Sequence, residues 1–300
     1  MTRVVGIELG GTKSIAVLDC DGAFSDRLQI ATTTPRATLA ALAAQVSRWH
    51  AAGPLAALGI ASFGPLRLDF AGAAYGQIGA TPKPHWSHTD VRGAFSACFP
   101  GPIGFDTDVA GAALAEGRWG AARGCSDHIY LTIGTGVGMG IVANGRLVHG
   151  AGHPEAGHIR VRRVAGDPFE GACPFHGDCL EGLICGPALA ARTGLTGDTI
   201  PDRHPVWANV ASDLAEALAM LILTLAPQRI VLGGGIAIKR PGLLPLVVAR
   251  TARLLGHYLP VFDEMGLDRV VVPAALGEDA GPRGAVALGL AALTGAQAAG

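Results

Sequence analysis

The chain has 300 residues, 49% hydrophobic and only 16% charged, with a formal net charge of −1. That length allows one large or two medium domains with ample core. The near-neutral balance, without a Lys/Arg run, argues against nucleic acid as the main ligand. No membrane span is expected either, because the richest apolar stretch, Ala215 to Ala226, is short and holds Glu216.

The 44 glycines and few aromatics suit an α/β protein with many tight turns. No signal peptide is visible, and Cys20, Cys98, Cys125 and Cys185 are scattered without framework spacing. A reducing, cytoplasmic setting is therefore expected.

In chain order, Arg3 to Leu9 reads as an apolar strand, followed by a sharp Gly10-Gly11-Thr12 turn. Lys13 to Leu18 reads as a second strand, Asp21-Gly22 as a hairpin turn, and Ala23 onward as a third strand. A helix is expected over Leu39 to His50, strands over Leu55 to Ala61 and Ile103 to Phe105, and a helix over Gly111 to Gly117.

The opening plan then recurs. His128 to Ile133 is a strand, Gly134-Thr135-Gly136 a turn, Val137 to Val142 a strand, Asn144-Gly145 a hairpin turn and Arg146 to His149 a strand. Two copies of one plan imply two similar lobes. The second lobe continues with a long helix over Pro205 to Ala226, a strand over Arg229 to Leu232, a helix over Leu243 to Leu255 and a strand over Arg269 to Pro273. Arg283 to Ala296 reads as a closing helix.

A glycine turn between strands needs no ligand, since glycine tolerates positive φ. Two matched turns, each with a threonine, point instead to phosphate, because backbone N–H groups in such turns face an anion. Neither is a Walker loop, since no GxxxxGK[ST] occurs. A third cluster, Gly233-Gly234-Gly235, follows a strand, where it suits the adenosine end of a nucleotide or merely a tight strand-to-helix turn.

Residues 153 to 181 carry a different chemistry. Cys173, His176 and Cys179 are spaced by threes, with His158 a short strand upstream. Soft thiolate and imidazole donors in this pattern read as a zinc site, closed and structural because four protein ligands leave no position for water. Glu155 and Glu181 flank the ligands, as befits a pocket for something rich in hydroxyl groups.

Together these residues resemble the ROK family of sugar kinases. Gly10-Gly11-Thr12-Lys13 is similar to the family's first phosphate loop, Leu131 to Gly136 to its second, and Val231 to Gly235 to its adenosine segment. His153-Pro-Glu-Ala-Gly-His158 is similar to its HPExGH sugar-and-zinc motif. Glu8, the Cys173-to-Gly182 segment, Ala61 to Pro65, and Thr81-Pro-Lys-Pro84 with Trp86 resemble the bacterial fructokinase branch. Thr107 departs from glucokinase-like relatives, which carry a sugar-binding asparagine there.

The resemblance implies a two-lobed actin-like ATPase fold, ribonuclease H-like in each duplicated lobe, with an interlobe active-site cleft. The N-terminal lobe would take residues 1–112 and the closing helix from about 283 to 300, and the C-terminal lobe residues 113–282. The implied reaction is phosphorylation of a hexose by ATP, D-fructose to fructose 6-phosphate. Glucose, mannose and N-acetylhexosamine kinases are the alternatives.

Asp108 would be the base, and Glu155, His158 and Glu181 would bind the sugar. Gly10, Gly11, Thr12, Lys13, Thr132, Gly134, Thr135, Gly136, Pro187, Gly233, Gly234 and Gly235 would bind ATP, although Lys13 also suits an exposed strand face. His158, Cys173, His176 and Cys179 would hold zinc, and Mg²⁺ would enter with ATP near Glu8 or Asp108. A homodimer is implied, with no nucleic acid or membrane partner. A sugar-responsive repressor of the same family would need a helix-turn-helix ahead of the strand that opens at Arg3.

Overall fold

Strands β1 (Arg3–Leu9) and β2 (Lys13–Cys20) pair antiparallel, and β3 (Ala23–Ala31) extends the meander. The Asp21-Gly22 connection has φ values of 52° and 93°, the left-handed pair that a two-residue hairpin turn requires. These coordinates are a computed structural model describing residues 1–69 and 72–295. The expected end of the closing helix at Ala296 lies outside the described residues.

The chain forms two units. The first takes Met1–Arg118, Arg146–Pro154 and the residues from Glu278 onward. Its sheet has the order β3-β2-β1-β4-β5, with β4 (Ala57–Ser62) and β5 (Ile103–Thr107) parallel to β1.

β4 and β5 are buried along their whole length, as expected of strands covered on both faces. Helix Pro35–Ala51 lends Leu39, Leu42, Val46 and Trp49 to the apolar cluster of this sheet. The closing helix Ala280–Leu293 lies against β1 and β4. Its approach is so close that a Cβ on Gly59 would collide with the Ala285 carbonyl. Glycine in a strand here marks close backbone approach.

Helix Asp108–Trp119 begins directly after β5, three residues earlier than the expected Gly111. The reason is a cap. Thr107 Oγ accepts the Ala110 N–H at 3.1 Å, so the first turn forms as soon as the strand ends.

The second unit takes Trp119–Gly145 and Glu155–Gly277. β6 (His128–Ile133) pairs antiparallel with β7 (Val137–Ala143). A second left-handed pair, Asn144-Gly145, leads into β8, which spans only Arg146–Leu147 and stops short of the expected His149.

β9 (Arg229–Gly233) runs parallel to β6, and β10 (Val271–Pro273) parallel to β9. Of the five residues expected as a strand, Arg269 to Pro273, only the last three form one. The first two belong to a helical turn, Leu267–Val270, set off by Gly266 at φ 79°.

Helix Val206–Leu225 is long and apolar enough to cross a membrane by composition, contrary to expectation. Most of it is packed inside this unit: Val210, Leu214, Leu218 and Ile222 are fully buried. It ends where Ala226 turns left-handed at φ 43°. A predominantly apolar helix suits a mostly buried core position.

Candidate functional site

The residues singled out above fall into two groups. Gly10, Gly11, Thr12, Lys13 and Asp108 belong to the first unit. Glu155, His158, Glu181, Thr132, Gly134, Thr135, Gly136, Pro187, Gly233, Gly234, Gly235 and the metal donors belong to the second.

In the first unit the Gly10 N–H donates to the Lys13 carbonyl at 3.1 Å, closing the turn between β1 and β2. A Cβ on Gly10 would lie 2.6 Å from that same carbonyl oxygen, so the turn itself requires glycine. Gly11 is different: a Cβ there would meet nothing within 4 Å. The turn's carbonyls are braced from behind, since Thr32 Oγ donates to Gly10 O at 2.7 Å and the Thr32 N–H to Thr12 O at 2.9 Å. Gly11 and Thr12 are left exposed at the tip, with room for a ligand to approach the backbone.

Beside this turn stands a pair of carboxylates. Glu8 lies on β1, and Asp108 opens the helix after β5 and accepts the Val109 N–H at 2.9 Å. Burial, and then the charge of Asp108, push the Glu8 carboxyl up to about 7, against the pull of Lys13 and Arg27. Gly281 of the closing helix makes the space, because a Cβ there would collide with the Glu8 carboxyl group. Two acids held together in this way suit a site that receives a cation or a proton.

The raised value has a consequence for stability. Between its ordinary 4.5 and about 7, the folded chain holds a proton on Glu8 that the unfolded chain has lost. Stability must therefore fall as pH rises through that window, by up to about 3 kcal/mol. Glu8→Gln removes the penalty. In metal-free buffer the variant is expected to melt within a degree or two of the parent at pH 5 and roughly 5 °C or more above it at pH 8. A difference that does not grow with pH, followed by calorimetry, would refute the assignment.

Asp106, only 4% exposed, accepts the Thr107 N–H at 2.7 Å and pairs with His149 Nε2 at 2.8 Å. That hydrogen bond raises the His149 pKa, with burial opposing it. Four residues on, His153 Nε2 accepts the Leu66 N–H at 2.9 Å. The segment leading into the HPExGH motif is thus pinned to the first unit by two histidines.

In the second unit the Gly134 N–H donates to Gly136 O at 2.9 Å, and Gly186 N–H donates to Gly134 O at 2.8 Å. The second bond brings the start of helix Gly186–Thr193, with Pro187 in its first turn, onto the glycine turn. A Cβ on Gly134 would again meet nothing within 4 Å.

Glu181 closes the other side. Its Oε2 accepts the Val137 N–H at 3.0 Å and leaves no room for a Cβ on Gly136, which would lie 2.7 Å away. Its Oε1 stands 4.0 Å from His158 Nε2. Glu181 thus spans from the turn to the metal-donor cluster.

In the third glycine cluster, Gly233 leaves room for the Tyr130 hydroxyl, while Gly234 sits at φ 83°, where a Cβ would collide with the Ile133 carbonyl oxygen and lie 2.6 Å from Thr132 Oγ. Gly235 alone faces open space. Next to the cluster lies a cavity of about 150 Å³ lined by Leu214, Leu232, Ala237, Leu244 and Pro273. An apolar slot beyond strand ends is where α/β proteins receive flat ring systems.

The donor atoms of His158, Cys173, His176 and Cys179 all lie within 4.8 Å of one another. His158 Nδ1 is 3.4 Å from Cys179 Sγ and 3.7 Å from Cys173 Sγ, which is 3.7 Å from His176 Nδ1. A tetrahedral S₂N₂ site with ordinary bond lengths places its donors about 3.6 Å apart. The set therefore fits a metal.

Burial first, and then the neighbouring Cys173, push the Cys179 thiol up to about 11, a penalty that a bound cation would reverse. Local backbone chemistry builds the cluster. Gly177 at φ 65° closes a knuckle with Cys173 through bonds of 3.1 and 2.9 Å. Gly157 lets the 3₁₀ turn Ala156–His158 lie against β7, where a Cβ would strike the Val137 carbonyl.

Glu155 is exposed at the head of that turn, and its carbonyl accepts the His158 N–H at 2.9 Å. Because Nδ1 faces the sulfurs, His158 turns Nε2 toward the Glu181 side. A further contact escaped sequence reasoning: Lys83 Nζ donates to the Gly11 carbonyl, 72 residues away.

The chain is 40% identical over 288 residues to a fructokinase of Pediococcus pentosaceus, covering 96% of this chain and 97% of that protein. It is 41% identical over 298 residues to a fructokinase of Zymomonas mobilis, covering 95% and 96%. Among solved structures, the ROK hexokinase of Thermus thermophilus superposes with a TM-score of 0.81 at 26% identity, covering 98% of this chain and all of that one. The model of the ROK family matches residues 4–292, nearly the whole of the sequence. The chain belongs to the ROK family.

Proposed function

We propose that this protein transfers the γ-phosphoryl group of ATP to the primary hydroxyl of a hexose, converting D-fructose to fructose 6-phosphate. The observation that carries the reading is likeness at about 40% identity, over nearly the full length, to curated fructokinases. Geometry supplies the chemistry. Phosphoryl transfer needs positioning and charge neutralisation more than covalent help.

Asp108 accepts the proton of the attacking hydroxyl, as a base within hydrogen-bond reach must. The open glycines Gly11 and Gly134, in turns completed by Thr12 and Thr135, receive phosphates through backbone N–H groups. Gly235 and the neighbouring apolar cavity receive the adenosine. Glu155, His158 and Glu181 accept and donate to the sugar hydroxyls.

Mg²⁺ accompanies ATP and would be held through Glu8 or Asp108, supplying charge neutralisation to the phosphates. The S₂N₂ set suits zinc, which would fix His158 and the knuckle while Nε2 remains available to the sugar. Thr107, where glucokinase-like relatives carry asparagine, has its hydroxyl committed to the Ala110 N–H. The protein acts in the cytoplasm and as a homodimer in this reading.

A hexose panel with Mg-ATP tests the proposal. Fructose is expected to give the highest kcat/KM, by about tenfold or more over glucose, mannose and N-acetylmannosamine. Preference for any other hexose would replace the substrate while keeping the reaction.

A further inference from the structure

Lys83 lies in the loop Thr81-Pro-Lys83-Pro84, and the chain takes trouble to place it. Trp86, fully buried, donates its indole N–H to Thr33 O at 2.9 Å and packs edge-on against Phe63 at 5.3 Å. The Trp86 N–H closes back onto Lys83 O at 3.2 Å. Ser87 Oγ accepts the Thr81 N–H and donates to the Thr81 carbonyl, both at 3.1 Å. Prolines on either side restrict the backbone further.

The outcome is that Lys83 Nζ reaches the Gly11 carbonyl at the exposed tip of the first glycine turn, with the Phe63 ring 5.9 Å beneath it. As a brace this contact is weak. Ordering a lysine side chain offsets much of what one exposed hydrogen bond to a carbonyl returns. The turn is already held by Thr32. As a charge device the contact is apt. An ammonium is a mobile point charge with three donors, only one of which the carbonyl uses. Gly11, which it touches, is also the residue whose missing side chain opens onto empty space.

We infer that Lys83 is a catalytic residue: it leaves the Gly11 carbonyl to neutralise the equatorial oxygens of the phosphoryl group in flight. The inference rests on the kinase reading above. In the step, the hexose oxygen forms its bond to Pγ as the bond from Pγ to the β–γ bridging oxygen breaks. The hydroxyl proton goes to Asp108, the electron pair leaves with ADP, and Lys83 stays protonated throughout. Charge on the phosphoryl oxygens is stabilised most when donors are already placed.

The test compares Lys83→Met and Lys83→Arg with the parent enzyme on fructose and Mg-ATP. Lys83→Met is expected to lower kcat about 100-fold with both KM values within about threefold, and Lys83→Arg to recover about tenfold of that loss. In the presence of fructose, Lys83→Met should weaken ADP with aluminium fluoride by a similar factor while leaving ADP alone unchanged. A structural brace would not separate these two ligands.

A Lys83→Met enzyme with kcat within threefold of the parent, or with undiminished affinity for ADP-aluminium fluoride, overturns the assignment and leaves the kinase reading standing. If the parent itself makes no sugar phosphate, the kinase reading falls and takes the assignment with it.

Discussion

Asp108→Asn is expected to lower kcat about a thousandfold while fructose affinity changes less than about threefold. The size follows from the role, since a positioned general base contributes roughly 10²- to 10⁴-fold. Asparagine keeps the shape and the bond to the Val109 N–H that the carboxylate accepts. It can no longer take a proton.

The same substitution carries an internal control. Asp108 is the second cause, after burial, of the raised Glu8 pKa. Removing its charge should therefore draw Glu8 downward, visible by NMR titration of the labelled carboxyl. A variant with the shifted Glu8 titration and the lost rate has lost a base. Near-normal turnover in Asp108→Asn would remove Asp108 from the mechanism, whatever happened to Glu8.

Loss of the metal set is the second large effect. Cys179→Ser should reduce bound zinc from about one per chain to a small fraction and weaken fructose binding tenfold or more, a scale set by groups that orient ligands. Mg-ADP affinity should move less than about threefold. The contrast arises because Cys179 lies two residues beyond the Cys173–Gly177 knuckle and, through Leu180, is tied to the Ile159 carbonyl beside His158. The glycine turn Gly134-Thr135-Gly136 owes its shape to its own backbone and to Gly186. Equal loss of sugar and nucleotide affinity would mean that the metal supports the whole second unit. Full sugar affinity after chelation would mean that it supports neither.

Much of this fold is legible in the chain because the signals are local. Alternating apolar residues with Asp21-Gly22 and Asn144-Gly145 mark two hairpins, and both turns carry the left-handed φ values those residues permit. Cys173, His176 and Cys179 are legible for the same reason, since spacing by threes keeps them close along the chain, and His158 joins them from the turn Ala156–His158. Helix starts were misjudged where a cap outranks the apolar pattern. Thr34, with Pro35 behind it, begins a helix four residues before Leu39, and Thr107 begins one three residues before Gly111.

What the chain conceals is partnership across distance. The pairing of Asp106 with His149, the bond from the Val137 N–H to Glu181 and the reach of Lys83 to Gly11 join residues 43, 44 and 72 positions apart. No periodicity encodes them, because each depends on how separate elements approach. The glycines make the same point. Gly136, Gly233 and Gly234 look alike in sequence with Gly11, Gly134 and Gly235. Only packing reveals that the first three are filled by neighbours and the last three open outward.

The measurement that bears most directly on the whole account is ³¹P NMR of the purified protein with fructose and Mg-ATP. One phosphomonoester at the C6 oxygen should appear for each ADP formed, with negligible inorganic phosphate. ATP loss without sugar phosphate, or no ATP loss with any hexose, would contradict the account.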